Sequence, residues 1–299
     1  MAAIHAGPQR KMMTPLTPYL YIDNGYLTQV YRERFVPIFG DKYSINYWTI
    51  MSNFSAVRAF LYDCLNDVRE EGELEKHYEA RVQEQQNHFD SIDSVDGLHV
   101  RLGVLSTNPK KKKRNQKEVD VMLAVDMLNA SFEQHTDHVI LISGDRDYRP
   151  AVESLVRAGT LVTVVFDPKT GARELAKEAD NESEIDITRL CDWVRVNDEL
   201  DRADRFPTYA LLDKRRIPIG NLRILVSGII GPEKLHIGLC MEPMPLMWTA
   251  IVIYNSANYA SYSYKDREVL LKYLEVKYGQ ISPQNLGHQI TPQNLGHSS

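Results

Sequence analysis

Short apolar runs alternate with amphipathic stretches through the first two thirds of the chain. Tyr19–Ile22 is a brief apolar run that stops at Asp23-Asn24-Gly25, a turn signal. Ala56–Tyr62 predicts a second strand and is followed by Asp63. Leu74, Tyr78, Val82, Phe89 and Ile92 recur at helical spacing and predict an amphipathic helix over about 73–94. Leu98–Leu105 predicts a third strand. Val119–Ala130 is apolar on nearly every side, which predicts a helix buried on several faces. Val139–Ile142 is a short buried strand that runs into Ser143-Gly144-Asp145. Ala151–Ala158 predicts a helix with Gly159 at its C-terminal cap. Thr160–Phe166 is a fifth strand, and Ala172–Ala179 a further short helix. Strands separated by helices imply parallel pairing through right-handed crossovers. Strands that are apolar throughout fit a sheet covered on both faces. The expected fold is therefore α/β: a Rossmann-like parallel sheet sandwiched by helices.

The texture changes near residues 195–205. Leu222–Ile230, Leu235–Met241 and Trp248–Tyr254 predict strands, and Asp266–Tyr278 a helix closed by Gly279. A smaller α+β module is expected there. Tyr254–Tyr264 carries four tyrosines among small polar residues; ordinary packing in a β-hairpin and base stacking are both open. The C-terminus repeats SPQNLGHQI as TPQNLGHSS, and two copies are too few for a solenoid. The expected organisation is a flexible N-terminus (1–16), an α/β domain (17–197), an accessory α+β domain (198–280) and a polar tail (281–299).

At 299 residues the length fits about two domains of roughly 150 residues each. The hydrophobic fraction of 43% and charged fraction of 25% argue against a disordered or fibrous chain. No stretch approaches the roughly 20 apolar residues that span a bilayer, so no membrane association is expected. The N-terminus lacks the apolar core of a secretory signal. Cys64, Cys191 and Cys240 are widely spaced and odd in number, which points to a reducing, cytoplasmic setting without a disulfide framework. The net charge of -5 argues at first against a nucleic-acid partner. The distribution weakens that objection. Residues 200–299 hold 11 Lys and Arg against 8 Asp and Glu, a net of +3, and the acidity is concentrated before them.

Candidate chemistry lies where the acids sit. In a doubly wound sheet, ligands bind beyond the carboxyl ends of the strands. Asp23 follows the first strand, and Asp145 and Asp147 follow the fourth; Asp120 opens the apolar helix. Carboxylates converging on one sheet edge repel one another, which raises their pKa values or demands a cation. Mg²⁺ and Mn²⁺ prefer such oxygen ligands and can polarise a phosphodiester and activate water for in-line attack. Each acid also has a plainer reading. Asp145 or Asp147 could cap the helix near Pro150, Asp23 could serve a turn, and Asp120 could pair with Lys117. Asp126, about 240° around the helix from Asp120, points elsewhere.

Three segments resemble the NYN domain, the LabA-like branch of the PIN-like nuclease superfamily. They are Tyr21-Ile22-Asp23-Asn24-Gly25-Tyr26-Leu27, Lys117–Leu128, and Ile140–Tyr148 with the helix, Gly159 and Val162–Phe166 that follow. Leu175–Asp180 fits the family's closing segment, so the resemblance spans about residues 17–190. It implies a PIN-like parallel α/β sandwich, an acidic Mg²⁺ or Mn²⁺ pocket and ribonuclease activity. Carried over motif by motif, Asp23, Asp120, Asp145 and Asp147 would be the catalytic, metal-holding acids. Asn24 and Ser143 would orient water or phosphate. Many members have Asn three residues after the first Asp, where this chain has Tyr26, and that departure leaves the role of Asn24 open.

Lys110, Lys111, Lys112, Lys113 and Arg114 precede Lys117 and the second motif. They could hold an RNA backbone in a salt-dependent, sequence-independent way. A solvated charged loop is the plainer reading, and a nuclear localisation patch a third. The leading expectation is a metal-dependent ribonuclease acting on single-stranded or structured RNA and leaving 5′-phosphate and 3′-hydroxyl ends. The alternative is a non-catalytic RNA-binding or regulatory protein with an idle pocket. Residues 200–280 could serve a protein partner or a homo-oligomer. A haloacid-dehalogenase-type phosphatase needs a second Asp two residues after the nucleophile, and Gly25 stands there after Asp23.

Overall fold

The computed structural model describes residues 16–104, 106–108, 113–115, 117–170, 173–194, 206–213, 222–230, 233–240, 247–253 and 258–281. The chain forms two compact units. One comprises residues 1–27 and 47–184, the other 28–46 and 185–299.

The first unit is built on a six-stranded parallel sheet. Its strands are β1 (Pro18–Asp23), β2 (Arg58–Leu65), β3 (Leu98–Val104), β6 (His138–Ile142), β7 (Leu161–Phe166) and β8 (Asn181–Glu184). A separate two-stranded ribbon pairs β4 (Ser106–Asn108) with β5 (Lys113–Asn115). The sheet order is β3-β2-β1-β6-β7-β8, parallel throughout. The chain builds outward from β1 to β3, then crosses back to place β6 on the other side of β1. Strand order therefore reverses between β1 and β6, the position at which open α/β sheets bind ligands. Residues 19–22 of β1 and 139–142 of β6 are all apolar because both faces are covered: Leu20, Ile22, Ile140 and Ile142 on one, Tyr19, Tyr21, Val139 and Leu141 on the other.

Four helices were expected here and appear in order; three more, between β1 and β2, were not expected. Together these are α1 (Asn24–Arg34), α2 (Val36–Phe39), α3 (Tyr47–Asn53), α4 (Glu75–Asp93), α5 (Lys117–Phe132), α6 (Arg149–Arg157) and α7 (Arg173–Ala176). Gly159 takes a φ of +86° directly after the C-cap of α6, as its placement suggested. Three further details differ from expectation. Asp23-Asn24-Gly25 is not a turn: α1 begins at once, because the Asp23 carboxylate accepts the Tyr26 N–H as an N-cap would. The helix expected over 172–179 shrinks to the four residues of α7. The third concerns α5, which is not buried on several faces. Val119, Leu123 and Met127, at successive fourth positions, pack on Tyr19, Tyr21 and Tyr62. The helix meets β1–β3 on one side and α6 beside it, so Val121, Val125 and Phe132 stay exposed.

The second unit, which also takes in residues 28–46 and starts at Ile185, holds a small antiparallel sheet with helices. Strands β9 (Thr208–Asp213), β10 (Leu222–Ile230), β11 (Glu233–Cys240), β12 (Met247–Ile253) and β13 (Asn258–Tyr264) form an antiparallel sheet in the order β10-β11-β12-β13-β9. Helices α8 (Ile187–Trp193) and α9 (Arg267–Tyr278) complete it. Asp266 caps α9, and Lys277 at its far end pairs with Asp186. Within Tyr254–Tyr264, Tyr262 is fully buried and packs against Tyr209, Tyr273 and Tyr278, which is the ordinary-packing reading. The duplicated tail lies outside the described residues.

Candidate functional site

Asp23 is the last residue of β1, and Ser143 is the first beyond β6. Parallel register sets these strand ends side by side, with Ile22 opposite Ile142. The Ser143 hydroxyl donates to Asp23 Oδ2 at 2.9 Å and accepts the Asp145 N–H at 3.1 Å. The other Asp23 oxygen, Oδ1, accepts the Tyr26 N–H at 3.1 Å. Asp145 Oδ1 in turn accepts the Asp147 N–H at 2.9 Å, capping a single 3-10 turn over Arg146–Tyr148. Asp145 therefore caps this short turn rather than the helix at Pro150, whose N-cap is Tyr148 with no side-chain bond, and the cap uses one carboxylate oxygen. Asp120 enters from the first turn of α5, where the Tyr148 hydroxyl donates to its Oδ1 at 3.1 Å.

The electrostatics follow from this crowding. Burial pushes the Asp23 carboxyl up from 3.8 to about 6. The two hydrogen bonds it accepts oppose that rise, while the charges of Asp120 and Asp145 add to it. Asp120 is also raised, by burial first and then by Asp145 and Asp147, against the Tyr148 hydrogen bond. The Tyr148 phenol is pushed far up by burial and by Asp23 and Asp120, so it remains a proton donor under the acids. Each acid thus feels at least one of the others. The donors are all oxygen, the set that hard divalent cations take. Among the described residues, no group of three or more His, Cys, Asp or Glu side chains is placed to hold a metal ion.

The remaining sequence-derived candidates divide. Ser143 is fully buried at the junction of Asp23 and Asp145. Asn24 is also buried, at 5% exposure, but turns away from the acids: its Oδ1 accepts the Tyr47 hydroxyl at 2.7 Å, and its amide donates to Asp63. Lys117 opens α5 one turn before Asp120. Lys113 and Arg114 lie in β5, whereas Lys110, Lys111 and Lys112 fall outside the described residues. Asp126 binds the Tyr62 hydroxyl at 2.8 Å, away from the cluster, as its angular position on the helix required. Tyr148 and Tyr26 also contribute: both lie within the resembling segments, but the sequence assigned neither a role at the site.

A doubly wound parallel sheet with acids gathered at its switch point defines an α/β protein with an anionic site at the carboxyl edge. The chain belongs to the NYN domain family, whose model matches residues 37–186. That stretch contains Asp120, Ser143, Asp145 and Asp147 and begins after Asp23 and Asn24. NYN domains are PIN-like and RNA-associated, and family members are generally ribonucleases. The chain is similar to the low amplitude and bright protein LabA of Synechococcus elongatus, with 28% identity over 149 residues, 48% of this chain and 71% of LabA. It also resembles a solved protein of unknown function from Vibrio parahaemolyticus, with 20% identity and a TM-score of 0.41, over 60% of this chain and 96% of that one. Among the described residues, no helix is long and apolar enough to cross a membrane.

Proposed function

We propose that the chain is a divalent-cation-dependent ribonuclease, a phosphodiester hydrolase whose site is built on Asp23, Asp120, Asp145 and Asp147. The observation that carries this reading is the convergence of acids from β1, α5 and the loop after β6 on the switch point. These four side chains would hold Mg²⁺ or Mn²⁺. When bound, such a cation supplies charge neutralisation at the phosphodiester and activates water for attack on phosphorus. The protein's own groups do the rest. Ser143 fixes Asp23 and the Asp145 backbone in one geometry. Tyr148 holds Asp120 and keeps its proton, so it cannot act as a base near neutral pH. Arg146, exposed and paired with Glu174, sets a cation between Asp145 and Asp147 in the chain. Three widely spaced cysteines support a reducing, cytoplasmic setting.

The test is cleavage of labelled RNA by the full chain with Mn²⁺, with Mg²⁺ and with EDTA, beside Asp145→Asn. Cleavage that needs the cation and is lost in the variant supports the reading. Cleavage that survives both EDTA and Asp145→Asn refutes it. RNA binding without turnover under either cation replaces it with the non-catalytic alternative.

A further inference from the structure

We propose that Tyr26 is a positioning residue that locks the acid-bearing loop after β6 onto Asp23; this rests on reading the acids as a cation site. Tyr26 touches three loops at the carboxyl edge of the sheet. Its backbone N–H binds Asp23 Oδ1. Its phenol oxygen accepts the Asp167 N–H at 2.7 Å, just beyond β7, and shares a hydrogen bond of 3.2 Å with Thr170 Oγ1. The Cε2, Cζ and hydroxyl atoms of its ring press on Gly144, between Ser143 and Asp145. A Cβ on Gly144 would stand 2.3 Å from Tyr26 Cε2 and 2.8 Å from Cζ.

Gly144 does not occupy the left-handed region of backbone space, which any glycine would be needed to fill. What the position demands is therefore the missing side chain, and the atoms that demand it belong to Tyr26. Ring and glycine form one unit. The ring is anchored at its far end by Asp167 and Thr170, and its backbone is anchored by Asp23, so it cannot retreat without loosening all three loops. The Ser143–Asp145 segment is pressed into the position from which Ser143 reaches Asp23 and Asp145 begins its turn.

Groups that orient metal ligands typically alter metal affinity about 10- to 100-fold when removed. The experiment is a double-mutant cycle on the full chain: wild type, Tyr26→Ala, Gly144→Ala and the double variant. Mn²⁺ dissociation constants are read by electron paramagnetic resonance, with thermal melts alongside. Tyr26→Ala and Gly144→Ala are each expected to weaken Mn²⁺ binding about 10-fold or more. The double variant should bind no worse than either alone, because the clash disappears with the ring. Tyr26→Phe, which keeps the ring but gives up its bonds to Asp167 and Thr170, should weaken Mn²⁺ binding by less than Tyr26→Ala does. Losses that add in the double variant, or unchanged Mn²⁺ affinity in variants that only melt lower, overturn the inference while leaving the site reading intact. Absence of Mn²⁺ binding by wild type overturns the site reading and this inference with it.

Discussion

Asp23→Asn should stabilise the cation-free protein at alkaline pH. The Asp23 carboxyl has a folded pKa of about 6 against an ordinary value of 3.8. A raised carboxyl favours the protonated folded state, so its ionisation costs stability. The cost is whole above about pH 6 and is gone once the pH falls below the unfolded value. At 1.36 kcal/mol per tenfold, the gap between about 6 and 3.8 corresponds to about 3 kcal/mol. Asparagine matches the shape. Its Oδ1 can accept the Tyr26 N–H, and its amide can donate to Ser143 Oγ in place of the bond it received. In a domain of this size, roughly 2–4 °C accompanies each kcal/mol, so the variant should melt about 6–12 °C above wild type. The assay is calorimetry in EDTA at pH 8 and again at pH 4.5. The gap should be largest at pH 8 and close on acidification, and Mn²⁺ should reverse it by rescuing only wild type. A variant no more stable than wild type at pH 8, or a gap indifferent to pH, refutes the reasoning.

Asn24→Ala removes the amide that joins the Tyr47 hydroxyl to Asp63, so it should cost about 1–3 kcal/mol in urea unfolding. A variant as stable as wild type would mean that the amide does not hold the fold here. Gly103→Ala places a Cβ 2.4 Å from Val119 Cγ2, at the start of the helix that carries Asp120. Overpacking of this kind costs about 1–3 kcal/mol, and a second change, Val119→Ala, should recover most of it in the same unfolding assay.

The fold of the first unit was legible because its strands are apolar throughout and its helices periodic. The parallel order follows from that alternation once β1 and β6 are recognised as doubly covered. The acids were legible by position, since chain order alone sets Asp23, Asp145 and Asp147 at strand ends. What periodicity could not carry was the meaning of composition on a single element. Val121 and Val125 made α5 look buried all round, but apolar content says nothing about how many faces find neighbours. Side-chain direction was equally hidden. Asn24 and Tyr26 both follow Asp23 within a helical turn. Asn24 turns into the core toward Tyr47 and Asp63, while Tyr26 lies across Gly144. Only the start of α1 directly after Asp23 fixes which does which, and the Asp-Asn-Gly triplet reads locally as a turn instead.

Charge shows why a whole-chain sum misjudges such a protein. Of the formal -5, the four site carboxylates account for -4 when ionised, so the rest of the chain stands at -1. Part of the acidity that seemed to argue against an RNA partner is thus the acidity of the proposed cation site. Because Asp23 is buried beside Asp120 and Asp145, leaving it ionised without a counter-charge is costly. A proton and a divalent cation are then rival occupants of the same oxygens. Cation affinity should therefore rise with pH through the region of about 6 where Asp23 gives up its proton, and fall below it. The burial that makes Asp23 a poor stabilising residue is the same feature that would make it a strong ligand.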